Sequence, residues 1–229
     1  IPLRLVGSEM CIRDRSKENM NNNKFFKSGV IALSIVLIAC TGGSEAGCPE
    51  LGDRNLNVVA TTPMVGEFVN QVGGDNINLT ILMPAEADPH SYEPSPQDAG
   101  TIADADLVFY TGLKYEPAPV VKLLENSACS PEILAEVGES VYPIEFNEEG
   151  EEDEEEGHEG HGHGAYDPHF WFDPSRVVYA AEYIEGKLSE LDPSNQSNFE
   201  ASLVSYKSEL SSLTGQVSDL ISTVPSQNR

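Results

Sequence analysis

Two tripeptides carry residue types that could hold a metal ion. Asp88-Pro89-His90 and Asp167-Pro168-His169 each place a histidine directly after a proline, whose ring fixes φ and stiffens the approach to the imidazole. Neutral imidazole suits Zn, Cu, Fe and Ni, whereas Mg and Ca take oxygen ligands. A neighbouring carboxylate can accept the second ring N–H and fix the tautomer; Asp88, Asp167 and Asp173 are the candidates. Either histidine alone reads as a loop residue bonded to backbone. Two matching motifs read instead as a pair of ligands, and a pair is incomplete, because zinc takes three or four.

Just ahead of the second motif lies a different cation-attracting feature. EEGEEDEEEGHEGHGHG, residues 148–164, holds eight acids between Glu148 and Glu156 and then His158, His161 and His163 among glycines. Its imidazoles are adaptable rather than preorganised, so they would chelate zinc loosely and at an ordering cost. The acids draw cations in only locally, within a screening length of about 8 Å at physiological salt. The competing reading is a solvated acidic loop without function.

The elements that must position these groups follow from the apolar pattern. Residues 56–62 (LNVVATT) form a β-branched, buried strand. Pro63 opens a helical stretch with Val65, Phe68, Val69 and Val72 on one face and Gly73-Gly74 at its stop. Residues 77–83 are the next strand, and a loop with prolines at 84, 89, 94 and 96 carries His90. A short helix from Gln97 leads to Asp106, and LVFYTG is the third strand. Residues 117–139 read as helix broken by Pro119 and Pro131, and residues 141–146 as the fourth strand. This alternation predicts βα units, hence an α/β fold with a mainly parallel four-stranded sheet flanked by helices. Both histidines then fall on loops at the carboxyl edge of the strands, where such sheets bind ligands. Asp173-Pro174 predicts a capped helix start, and Asp192-Pro193 repeats the device. Phe199, Leu203, Tyr206, Leu210, Leu213, Val217 and Leu220 form one apolar stripe of a long final helix, packed along a domain rather than in a coiled coil.

The ends and the composition bound the setting. Residues 1–19 resemble translated adapter sequence, and residues 20–39 read as a secretory signal with a short apolar core. Leu37-Ile38-Ala39-Cys40 has the form of a lipoprotein processing site, so Cys40 is the expected lipid-bearing residue and residues 40–55 a flexible tether. The protein is expected to be exported, and lipid-anchored at the cell membrane or periplasmic. With Cys11 in the leader and Cys40 lipidated, Cys48 and Cys129 remain, and nothing local decides whether they pair. The net charge of −25 leaves no basic stripe, which excludes nucleic acid as a partner.

DPHSYEPSPQDAGTIADADLVFYTGLKYE and DPHFWFDP together resemble the solute-binding proteins of zinc and manganese ABC transporters. The resemblance runs from Val58 to the end. It implies that residues 56–191 are an N-terminal metal-binding lobe, with residues 147–165 an acidic His-rich loop of the zinc type. Residues 192–229 would be the long helix linking to a C-terminal lobe that is missing here. It further implies His90 and His169 as primary ligands, with His158, His161 and His163 auxiliary. Zn2+, alternatively Mn2+, would be cargo for a membrane permease, carried by a monomer that is not an enzyme. A surface zinc store or adhesin is the alternative. A lipid-anchored metallohydrolase is weaker, since no HExxH, GxSxG or coherent acid/base pair is present.

Overall fold

The computed structural model describes residues 47–89, 91–145 and 165–228. Along the chain run β1 (Leu56–Ala60), α1 (Pro63–Gly73), β2 (Ile77–Ile81), α2 (Pro96–Ala103), β3 (Leu107–Tyr110), α3 (Ala118–Ser127) and β4 (Leu134–Glu136). These are followed by β5 (Ile144–Glu145), β6 (Tyr166–Asp167), α4 (Pro174–Leu191) and α5 (Gln196–Ser222). The leader, the signal segment, Cys11 and Cys40 lie outside the described residues, as do His90 and residues 146–164 with His158, His161 and His163.

Four strands form one all-parallel sheet in the order β2-β1-β3-β4. β1 is central, with Val58 opposite Leu79 on one side and Leu107 on the other. Successive side chains of a strand face opposite layers. Leu56, Val58 and Ala60 therefore pack with Val65, Val69, Ile184 and Phe199 of α1, α4 and α5. Val59 joins Val108, Ile102, Val120 and Leu124, which brings in α2 and α3 on the other face. A strand covered on both faces reads as continuously apolar, as LNVVA does. The helices start where capping side chains allow. Thr62 Oγ1 accepts from Val65 N at the start of α1, and Ser95 with Asp98 forms a reciprocal capping box at α2.

Three expectations are corrected. The fourth strand of the sheet is β4, not residues 141–146: the helical reading of residues 117–139 gives way to α3, a 3-10 turn over Pro131–Ile133, and then the strand. Within residues 141–146, Tyr142 adopts a left-handed φ of 52° and Pro143 lacks a ladder N–H, so only Ile144–Glu145 extends. It pairs antiparallel with β6 in a separate two-stranded sheet. Asp192 does not cap α5: its carboxylate accepts from Ser194 and Asn195 in the preceding turn, and Asn195 holds the cap position without a side-chain bond. The stripe of α5 packs on α1 and α4 only in its first half. Phe199 and Leu210 are buried, whereas Leu213, Val217 and Leu220 are exposed.

Cys48 and Cys129 are bonded, joining the segment before β1 to the end of α3 with their Cα atoms 4.9 Å apart. Closing a loop of 81 residues is worth about 4–5 kcal/mol in the chain-entropy account. Nearby, Asp106 accepts from both Nη atoms of Arg54 and from Asn57 N, fixing the entry to β1.

Candidate metal centre

His169 follows β6 and begins a 3-10 turn, Phe170–Phe172, that leads into α4. The turn distributes its aromatic rings three ways. Phe170 is buried against Phe68 of α1, Trp171 lies against His169, and Phe172 points to solvent. Asp173 then caps α4, its Oδ1 accepting from Ser175 N at 2.9 Å. The histidine is thus clamped between a short strand and a capped helix, with a core aromatic as anchor.

Of the three aspartates that could orient a ring, Asp167 meets His169. Its Oδ1 accepts from the His169 backbone N–H at 2.9 Å and lies 2.8 Å from Nδ1. A neutral ring in this contact carries its proton on Nδ1, which makes Nε2 the nitrogen with the ligating lone pair. Burial alone would raise the Asp167 carboxyl, but the N–H and ring of His169 outweigh it and hold the carboxyl below its ordinary value. Asp173 is engaged by the helix cap and by Arg176, so it orients the helix, not the ring. The imidazole side chain is 39% exposed and borders a cleft of about 210 Å³ shared with Ile144, Phe172 and Arg176. An ion from solvent can reach it.

Two further rings steady the imidazole. Trp171 stands edge-on to His169 at 5.2 Å between centroids, and Tyr115 at 5.7 Å; the two also touch each other at 5.1 Å. Tyr115 comes from the turn after β3 and is buried. Its phenol is pushed up first by burial, then by the charges of Glu116 and Asp88. Asp88, the acid of the first motif, therefore lies close enough to Tyr115 to act on it electrostatically. The Asp88 carboxylate accepts from Ser91 Oγ at 2.9 Å, and Asp88 O accepts from Ser91 N, which closes a turn across position 90.

Sequence reasoning named His169 and Asp167 but gave no role to Tyr115 or Trp171. The available signal was the aromatic run after the second motif and the Gly-containing turn TGLKYE after β3. Among the described residues, no group of three or more His, Cys, Asp or Glu side chains is arranged to hold a metal ion.

A family model described as ZnuA, zinc-uptake complex component A periplasmic, matches residues 58–229. Among curated proteins, the chain is 32% identical over 199 residues to the metal ABC transporter substrate-binding lipoprotein ScbA of Streptococcus cristatus, covering 84% of this chain and 59% of that protein. It is 30% identical to the manganese ABC transporter substrate-binding lipoprotein PsaA of Streptococcus mitis, over 85% of this chain and 60% of that one. Among solved structures, the fold matches a crystal structure of ZnuA with a TM-score of 0.63 at 26% identity, covering 75% of this chain and 62% of that chain. The Zn(II)-bound ZnuA-like domain of Streptococcus pneumoniae AdcA matches with a TM-score of 0.56 at 30% identity, covering 70% and 54%. The chain thus spans about 60% of the length of the curated relatives it matches.

Proposed function

The chain belongs to the zinc-uptake complex component A family, and on that premise we propose that it is part of an extracytoplasmic receptor that captures Zn2+, with Mn2+ as the alternative cargo, for delivery to a membrane ABC permease. The observation that carries this reading is the preorganised imidazole of His169. Asp167 holds Nδ1, Tyr115 and Trp171 flank the ring, and the cleft opens to solvent. His90, which follows the same Asp-Pro pair on a loop at the same edge of the sheet, is the second primary ligand. Residues 148–164, with His158, His161 and His163, gather zinc without being required for tight binding. Lipid on Cys40 would keep the receptor at the membrane, where it acts as a monomer. The role is that of a receptor, not an enzyme.

Imidazole donors select zinc over manganese on intrinsic affinity. Equilibrium dialysis with each ion in turn tests the assignment. Wild-type protein should bind zinc more tightly than manganese, and the double variant His90→Ala, His169→Ala should lose that binding. Undiminished tight binding in the double variant sinks the ligand assignment. Deleting residues 148–164 should spare the tight site, and loss of all metal binding on deletion would favour a passive zinc store.

A further inference from the structure

Glu116 is among the few buried charged residues, 5% exposed, and the metal chemistry described so far does not use it. Its carboxylate accepts from Thr111 N at 2.6 Å, Gly112 N at 2.9 Å and Thr61 Oγ1 at 2.7 Å. Burial pushes its pKa up and these donors oppose the rise. Three donors around one buried carboxylate are a built environment, since an unmatched buried charge would be expensive.

The turn it holds is an unusual one. Gly112, Leu113 and Lys114 have successive φ values of 75°, 53° and 62°. Glycine adopts this region freely, but leucine and lysine do so only when their surroundings impose it. Glu136 adds a second hold, accepting from Leu113 N at 2.8 Å. The next residue is Tyr115, whose ring edges against His169 and Trp171. On its other side Glu116 grips Thr61, whose carbonyl accepts from Met83 N at the start of the loop that leads to Pro89 and His90. Glu116 therefore lies at the joint between the two histidine-bearing loops.

We propose that Glu116 is a positioning residue of the metal centre: it imposes the left-handed turn that seats Tyr115 against His169 and ties that turn to the root of the His90 loop. It touches no metal and acts through Tyr115 and Thr61. The inference rests on the metal-receptor reading for its effect on affinity, but its effect on the ring is independent of metal.

The test uses the whole chain with Glu116→Ala, Glu116→Gln and Tyr115→Ala, and two readouts. The first is the NMR signal of the His169 ring in metal-free protein, assigned by difference against His169→Gln. Wild type should show the ring-current displacement of a histidine against two aromatic rings. Glu116→Ala and Tyr115→Ala should both move it towards the shift of a free histidine, with Glu116→Gln in between. The second is zinc affinity by chelator competition, where Glu116→Ala should weaken binding ~10–100-fold, the range for groups that orient ligands. In a His169→Ala background it should cause little further loss. A folded Glu116→Ala or Glu116→Gln protein with the wild-type His169 signal and wild-type affinity overturns the proposal, as does an equal affinity loss in both backgrounds. If Glu116→Ala does not fold, Glu116→Gln decides by the same readouts. Should His169→Ala leave zinc binding unchanged, the metal reading falls, and the ring signal alone still decides whether Glu116 positions His169.

Discussion

The two Asp-Pro-His loops begin with the same three residues and are built differently. In the first, the Asp88 carboxylate accepts from Ser91, closing a turn over position 90, and the loop is steadied by the hydroxyl of Tyr92 bonded to Leu82 O and Asp98. In the second, Asp167 turns back on its own histidine and Phe170 goes into the core. The residues after the histidine make the difference. SYEP offers hydroxyls and an exposed loop, whereas FWFDP offers a core anchor, a ring partner and a helix cap. A shared tripeptide therefore fixes the stiffness of the approach to the imidazole but not what organises it.

The largest expected effect separates the two kinds of anchor. Phe170→Ala removes a 4%-exposed ring packed on Phe68 and should destabilise the protein by about 3–5 kcal/mol. Tyr92→Phe removes only hydroxyl bonds in the first loop and should lower stability by about 1 kcal/mol. Denaturant unfolding of the two variants gives the comparison. Equal losses would mean that the first loop is as firmly anchored as the second.

Next comes the orienting carboxylate. Asp167→Ala should weaken zinc binding ~10–100-fold, because the ring loses the acceptor that fixes its tautomer. Asp88→Ala should change affinity by no more than a few-fold, since Asp88 is committed to Ser91. Chelator competition on both variants decides it. Similar losses would show that Asp88 turns to a ring once metal is present, and the two loops would then be equivalent in the bound state.

Part of this arrangement was legible in the sequence, and the limits have physical causes. Buried parallel strands announce themselves as apolar runs, so LNVVA, INLTI and LVFY were readable, as were the Asp173-Pro174 helix start and the paired histidines. The fourth strand was misplaced because Leu134–Glu136 is three residues long at an edge of the sheet, too short for a period to show. Asp192 was misread as a cap because Asp-Pro marks a turn as readily as a helix start, and here its carboxylate closes on Ser194 and Asn195. Tyr115 and Glu116 were invisible for a different reason. Their roles depend on left-handed backbone at Leu113 and Lys114, which neither residue type prefers, and on contacts 54 residues away at His169. Local propensity carries no trace of a conformation imposed by tertiary contacts. The Cys48–Cys129 bond was open for a like reason, since pairing depends on a fold that brings distant segments together.

The smallest effect tests whether the Asp167–His169 contact exists in metal-free protein. The folded-state pKa of Asp167 lies below its ordinary value, because the N–H and ring of His169 outweigh the opposing effect of burial. An unfolded aspartate titrates near ~3.9. A carboxyl depressed on folding contributes its stability in full above that unfolded value and loses it as pH falls through the folded one. Wild-type protein therefore loses this increment only below about pH 4, while Asp167→Asn, which does not ionise, never has it. The Tm advantage of wild type over Asp167→Asn, measured without metal, should be steady above about pH 5 and shrink towards about pH 3. The Asp167 side chain is 40% exposed, so solvent screening keeps the difference small. A gap that does not change with pH would mean that Asp167 does not hold the ring before metal arrives, and the second loop would then be no better prepared than the first.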